Sequence, residues 1–210
     1  MNLKLNFPSL KSHSWGYKVG YRSVQPDPGP VQPLLNLPYP QSAKELKRLI
    51  GLFAYYARWI SNYSAKIRPL IKASLPLDED ALRAIDVVKQ DLASATLQPI
   101  NESLPFTVET DASDFAIAAS LNQDGRPVAF HSRTLSPSEQ RHSAVEKEAY
   151  AVVEALRKWR YLLIGKHFTL VTDQKSVSFM LDARHANKIK NDKIARWQLE
   201  LTSTLCIALG

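Results

Sequence analysis

The spacing of apolar residues changes near Pro99, and this change limits the folds that the chain can adopt. Between Ser42 and Pro99, apolar residues recur at helical intervals. After it, segments such as Phe106–Asp111 alternate apolar and polar residues, as half-buried strands do. The chain has 210 residues, of which 45% are hydrophobic and 22% charged, so it is long enough for a core and has a globular composition. The sequence therefore predicts a helical part followed by a mixed α/β part.

This change and the proline-rich start together divide the chain into three segments. Residues 1–40 are rich in proline, which predicts loops and short extended pieces, with one hairpin around Trp15–Arg22. Residues 41–100 form a helical module, and residues 101–210 form an α/β domain. No apolar run is long enough for a membrane span, no secretory signal is evident, and the single cysteine suits a reducing compartment. We therefore expect an intracellular, cytoplasmic protein.

Three helices are predicted in the helical module. The first begins at Ser42, because Ser42 and Glu45 have the spacing of a capping box. The other two cover Ala65–Ala73 and Glu79–Ala95, where apolar residues recur on one face.

The α/β domain is predicted to have the element order β-β-β-α-β-α-α-β. Asp124-Gly125 is a strong hairpin signal between the second and third strands. The predicted strands are Phe106–Asp111, Phe115–Leu121, Pro127–Arg133, His167–Asp173 and Thr204–Leu209, and the helices run from His142 to Gly165, over Gln174–Leu181 and over Asn191–Leu201.

Three acidic residues occupy positions from which they can meet. Asp111 and Asp173 end two predicted strands, and Glu148 lies on the long helix between them. Clustered carboxylates repel one another unless a cation is bound, and hard oxygen ligands select Mg²⁺ or Mn²⁺. Two such ions can drive a displacement at phosphorus. Taken singly, Asp111 or Asp173 could simply cap a turn or a helix; taken together, the three residues favour a metal site.

The net charge of +7 suits a polyanionic partner, although a solvated basic face is an equally good interpretation of charge alone. One candidate contact region interleaves aromatic and basic side chains, which could track a nucleic-acid backbone and stack on sugars or bases. The alternative is that these aromatic residues belong to the core. The second region is a basic segment near the C-terminus. The candidate contact residues are Tyr55, Arg58, Trp59, Lys188, Lys190, Lys193 and Arg196.

From about Trp15 onward, the chain resembles the Pol polyprotein of gypsy-type LTR retrotransposons. The segment SAKELKRLIGLFAYYARWISNYSAKIRPL looks like a reverse transcriptase thumb, and the segment from FTVETDASDF to VTDQKSV looks like its RNase H domain. The resemblance implies that residues 1–40 end the palm, that residues 41–100 are thumb-like, and that residues 101–210 are an RNase H-like domain with a five-stranded mixed sheet.

This resemblance also implies a function. It carries the catalytic and metal-binding roles onto Asp111, Glu148 and Asp173, and the primer-strand contact onto Trp15. The expected activity is Mg²⁺- or Mn²⁺-dependent hydrolysis of the RNA strand of RNA–DNA hybrids. Other Pol domains, namely palm, fingers and integrase, are the expected partners, and the nucleus or virus-like particles are further possible locations.

Two departures from the family pattern shape these expectations. The chain has no Asp-Asp pair, so no polymerase activity is expected. The family's fourth acidic residue follows the last strand, whereas this chain ends at Gly210, so we expect weaker metal binding, lower stability and poor turnover. An inactive nucleic-acid-binding remnant and a decayed fragment are the alternatives.

Overall fold

The computed structural model describes residues 17–20, 23–174, 177 and 191–205. Within these ranges, no helix combines the length and the apolar character needed to cross a membrane. The helices are α1 (Pro28–Leu35), α2 (Ala43–Tyr55), α3 (Tyr63–Lys72), α4 (Glu79–Ser94), α5 (Ala144–Lys158), α6 (Arg160–Leu163) and α7 (Asp192–Leu205), with 3₁₀ turns at Ala57–Trp59 and Glu139–Arg141. The strands are β1 (Tyr17–Gly20), β2 (Ser23–Pro26), β3 (Phe106–Ala112), β4 (Ala116–Gln123), β5 (Arg126–Thr134) and β6 (Phe168–Val171).

The three predicted helices of the helical module are confirmed as α2, α3 and α4. Ser42 begins α2, where its hydroxyl accepts a hydrogen bond from the Glu45 amide at 3.2 Å. The Glu45 carboxylate accepts from the Gln41 amide at 2.8 Å, so both ends of the cap are engaged. The buried faces of these helices meet around Phe53 and Ile85, which have no exposed surface.

The proline-rich lead contains a helix that the sequence did not predict. The hairpin of β1 and β2 agrees with the prediction, but α1 lies where loops were expected. Prolines are tolerated in a first helical turn because the amide that they lack has no partner there. Asp27 caps this turn by accepting from the Gly29 amide at 3.0 Å, and Val31 and Leu34 bury one face of the helix.

Four strands form the sheet of the α/β domain, in the order β5-β4-β3-β6. The first three are antiparallel neighbours, and β6 runs parallel to β3. Asp124 and Gly125 form the predicted hairpin turn with φ values of +51° and +69°. The resemblance implies five strands, whereas the described residues contain four in this sheet.

The end of the chain differs from the prediction. Residues 204 and 205 continue α7, so the predicted strand Thr204–Leu209 is wrong at its start, and its remaining residues lie outside the described ranges. A short apolar run does not distinguish a strand from the end of a helix by its periodicity. Of the predicted helix Gln174–Leu181, only Gln174 and Val177 are described.

The long helix α5 covers one face of the sheet and α7 packs against α5. Val108, Leu121, Val152 and Leu156 have no exposed surface in this layer. The other face of the sheet contacts the helical module: Phe130 packs against its core, and the Ser64 amide donates to the Ser132 hydroxyl at 2.9 Å. The end of β3 meets the start of α5, where the Ala112 amide donates to the Glu148 carboxylate.

Candidate active site

Asp111, on β3, and Asp173, two residues beyond the end of β6, lie at matching positions along two neighbouring parallel strands. The pairing of β3 with β6 ends at Glu109 and Val171, and each aspartate lies two residues further along its chain. Both aspartates are exposed. The parallel register therefore brings both residues to the same edge of the sheet.

Glu148 and the nearby Glu146 have different roles in α5. Glu146 closes the capping box with Ser143, and its carboxylate also binds Lys193 at 3.0 Å and Asn191 at 3.4 Å. The backbone hydrogen bond from Ser143, together with Lys193, lowers the pKa of Glu146 to about 2. Glu146 is therefore a structural carboxylate, and Glu148, one half-turn further along, is the one that reaches the edge of the sheet.

The Glu148 carboxylate is buried and only partly satisfied. Its Oε1 accepts a hydrogen bond from the Ala112 amide at 3.2 Å, while its Oε2 is buried without a hydrogen-bond partner among the described residues. Burial, followed by the negative charges of Asp173 and Asp111, raises the pKa of Glu148 to about 7, although the Ala112 hydrogen bond acts in the opposite direction. Asp173 and Asp111 are thus close enough to Glu148 to influence its charge.

The carboxylate oxygens of Asp111, Glu148 and Asp173 suit a hard divalent cation. Across the described ranges, no three acidic, His or Cys side chains already converge in the arrangement of a metal site. The buried Oε2 of Glu148 nevertheless lacks a partner, and Asp111 and Asp173 are exposed side chains that can change rotamer. A cation held by these oxygens would satisfy Oε2 and relieve the repulsion that disfavours ionised Glu148. Oxygen donors of this kind suit Mg²⁺ or Mn²⁺.

Asp111 opens onto a groove of about 310 Å³ between the sheet and the helical module. Glu109 and Ser120 line it from the sheet, and Ser61 and Asn62 line it from the loop before α3. The helical module therefore contributes directly to the surroundings of the candidate site.

The first predicted contact region divides into exposed and buried residues. Tyr55 is 67% exposed, and Arg58 is exposed as well. Trp59 is only 5% exposed and packs in the core of the helical module, with the Arg58 guanidinium 5.1 Å from the centre of its ring. Its burial argues against the prediction that Trp59 stacks on a nucleic acid.

The second predicted contact region is only partly described. Lys193 is half-buried in its ion pair with Glu146, whereas Arg196 is exposed and donates from Nε to the Asp192 carbonyl at 3.4 Å. Trp15, Lys188 and Lys190 lie outside the described residues.

Sequence reasoning missed one charged pair beside the site. Lys147 immediately precedes Glu148, and its buried ammonium lies 2.7 Å from Asp114, in the turn that follows β3. A lysine among the buried residues of an amphipathic helix was the available signal, but its partner is 33 residues away in sequence.

Comparison with known proteins identifies the domain that carries this site. Residues 101–203 match the RNase H-like domain found in reverse transcriptase. This part of the chain is an RNase H-like domain of the reverse transcriptase type. The match contains β3 to β6, α5 and all three carboxylates.

The resemblance to retrotransposon Pol polyproteins is also confirmed. The chain is 31% identical over 207 residues to the Retrovirus-related Pol polyprotein from transposon 297 of Drosophila melanogaster, with 95% of this chain and 19% of that protein covered. It is 29% identical to the corresponding polyprotein from transposon gypsy of the same organism, with 87% and 19% covered. The chain therefore spans about a fifth of the length of these relatives.

A solved structure of similar shape supports the fold. The foamy viral protease-reverse transcriptase in complex with RNA/DNA hybrid superimposes with a TM-score of 0.72 at 19% identity, over 90% of this chain and 27% of that chain. The mixed sheet with its surrounding helices is thus an RNase H-like fold, as the resemblance implies.

Proposed function

We propose that this chain is a metal-dependent nuclease that hydrolyses the RNA strand of RNA–DNA hybrids. The observation that carries the proposal is Glu148, a buried carboxyl whose pKa is raised to about 7 by burial and by Asp173 and Asp111. Strongly perturbed acids of this kind, placed beside other acids at the edge of a sheet, are typical of functional sites. The match to an RNase H-like domain supports the same reaction class.

The three carboxylates share one role in this proposal, and Glu148 has a further one. Asp111, Glu148 and Asp173 would hold Mg²⁺ or Mn²⁺, which supplies activation of water and charge stabilisation at phosphorus when bound. The pKa of Glu148 is raised to about 7 without a cation, and a positive charge held beside it would favour its ionised form. Its hydrogen bond from Ala112 fixes one carboxylate oxygen at the end of β3 and leaves the other available.

We also propose a nucleic-acid partner and a place in a larger protein. The net charge of +7 and the exposed Tyr55, Arg58 and Arg196 support binding to a hybrid. The similar foamy viral protein was solved with such a hybrid, and the relatives are polyproteins. We therefore propose that residues 41–100 are a thumb-like module and that other Pol domains are partners.

A catalytically inactive nucleic-acid-binding protein is the second candidate. One observation favours it, because the three carboxylates do not already converge as a metal site in the described residues. It would keep the fold and the basic surface without hydrolysis.

Cleavage of an end-labelled RNA–DNA hybrid by the purified 210-residue chain separates the two candidates. We expect Mg²⁺-dependent cleavage that falls by at least about 100-fold in Asp111→Asn, the usual scale for removing a group that acts in the reaction. Glu102→Gln is the control, because Glu102 is an exposed carboxylate in the loop before β3 and does not line the groove at Asp111. A folded protein that binds the hybrid without cleaving it would establish the second candidate.

A further inference from the structure

An unusual ion pair lies beside the candidate site. The Lys147 side chain is only 8% exposed, and its Nζ lies 2.7 Å from Oδ1 of Asp114, whose side chain is 79% exposed. Burying an ammonium group is unfavourable unless it is paired, so this position requires its partner. Lys147 also lowers the pKa of Asp114 through its hydrogen bond and its charge.

The turn that contains Asp114 is tightly connected to β3. The Ser113 amide donates to the Ala116 carbonyl at 2.8 Å, and the Ser113 hydroxyl accepts from the Ala116 amide at 3.0 Å. Asp111 and Ala112 immediately precede this turn. The position of Asp114 is therefore coupled to the end of the strand that carries Asp111.

Two adjacent residues of α5 thus bind the end of β3 from different directions. Glu148 accepts from the Ala112 amide at 3.2 Å, and Lys147 holds Asp114 at 2.7 Å. Successive residues of a helix are separated by about 100° around its axis, so rotating or sliding α5 would disturb both contacts. Together, the two contacts set where the start of α5 lies relative to Asp111.

We propose that Lys147 and Asp114 are positioning residues whose ion pair holds the turn after β3 against α5 and so sets the placement of Glu148 and Asp111 for metal binding. This inference rests on the proposed function. Asp114 acts in this proposal through Lys147, whose Nζ donates to its Oδ1.

The direction of the metal-affinity change distinguishes positioning from a simple effect of charge. Removing a positive charge near the site would by itself tighten cation binding, and removing a negative charge would weaken it. Loss of positioning weakens binding in both cases. Lys147→Met keeps most of the aliphatic side chain, and Asp114→Asn keeps its shape, so each variant mainly removes charge.

The test measures Mn²⁺ binding by calorimetry and exchange of the Ala112 amide by NMR in the full chain. We expect each single variant to weaken Mn²⁺ binding by about 10-fold, as loss of an outer-shell partner does. The double variant should bind Mn²⁺ no more weakly than whichever single variant binds it more weakly. The two changes break the same ion pair, so their effects should not add. The Ala112 amide should exchange faster in all three, and Lys147→Arg should remain close to the original protein.

Lys66→Met is the matched control, because it breaks a similar pair with Asp91 at 2.6 Å in the helical module. It should leave Mn²⁺ binding unchanged. The proposal is overturned if Lys147→Met binds Mn²⁺ more tightly, or if both single variants change only the melting temperature.

Failure of the proposed function is distinguishable from failure of this inference. If the original protein neither binds Mn²⁺ nor cleaves a hybrid, the proposed function fails. Exchange of the Ala112 amide needs no metal, so it still decides whether Lys147 and Asp114 hold the end of β3 against α5. Unchanged exchange in both single variants overturns the positioning role.

Discussion

Replacing Glu148 by glutamine should stabilise the metal-free protein at high pH. The folded protein raises the pKa of Glu148 to about 7 from an ordinary value of 4.5. An acid with a raised pKa favours its proton in the folded state, so ionisation costs the folded state more than the unfolded state. Stability is therefore lost as the pH rises from about 4.5 to 7, and the loss persists above that range.

The size of this effect follows from the gap between the two pKa values. One pKa unit is worth about 1.4 kcal/mol, so the ionised Glu148 destabilises the metal-free fold by at most about 3 kcal/mol. Glutamine can still accept the hydrogen bond from Ala112, but its amide nitrogen brings a buried donor that costs about 1 kcal/mol if it finds no partner. We therefore expect Glu148→Gln to be more stable by about 1–3 kcal/mol at pH 8.5.

Urea denaturation in EDTA at pH 8.5 and near pH 5 measures this difference. For a protein of this length, the expected gain corresponds to roughly 2–12 °C in melting temperature. The gain in stability should nearly vanish near pH 5, where Glu148 is mostly protonated in the folded protein. Glu102→Gln, at an exposed carboxylate in the loop before β3, is the control and should show little change at either pH.

Addition of Mg²⁺ should make the original protein more stable than Glu148→Gln. A ligand that binds only the folded state stabilises that state, and the variant lacks one carboxylate to bind the ion. A variant that is less stable than the original protein at pH 8.5 in EDTA would refute the reasoning. An equal gain at both pH values would also refute it, since the effect would then not come from ionisation of Glu148.

Three other predictions concern the fold and the partner. Gln123 is fully buried and hydrogen-bonds the backbone of the loop before β3, so Gln123→Ala should cost about 2–4 kcal/mol in urea denaturation, and a cost below about 0.5 would contradict this. Gly125 has a φ of +69°, so Gly125→Ala should destabilise by about 1 kcal/mol, whereas Gly51→Ala, in the open on α2, should stabilise by up to about 1 kcal/mol. Hybrid affinity should fall steeply with salt in a filter-binding assay, and Arg196→Ala should reduce the slope by about one. A flat salt response would argue against phosphate contacts.

Much of the secondary structure could be predicted because its signals are local. The cap at Ser42 and the turn at Asp124-Gly125 are each complete within four residues, and the structure has both. The sequence does not predict α1, because clustered prolines indicate a loop, although Asp27 caps a turn in which prolines are tolerated. The end of α7 was wrong because a short apolar run carries no decisive period.

The candidate site could be predicted from local sequence signals less completely than the secondary structure. Asp111, Glu148 and Asp173 could be chosen from the sequence, whereas only the structure shows that the nearby Glu146 closes the helix cap with Ser143. An aromatic residue such as Trp59 looks the same in sequence whether it stacks on a ligand or packs in the core. Burial depends on what the rest of the chain places around a residue.

The sequence by itself determined most of the strands and helices and which acids are available, because hydrophobic period, caps and turn residues act over a few positions. Only the tertiary structure decided that the parallel register of β3 and β6 aligns Asp111 with Asp173, and that α5 is buried deeply enough to raise the pKa of Glu148 to about 7. The physical reason is distance along the chain. Strand register, burial and the interaction between carboxylates depend on segments that are dozens of residues apart in sequence. No local pattern specifies how close such segments come in the folded protein.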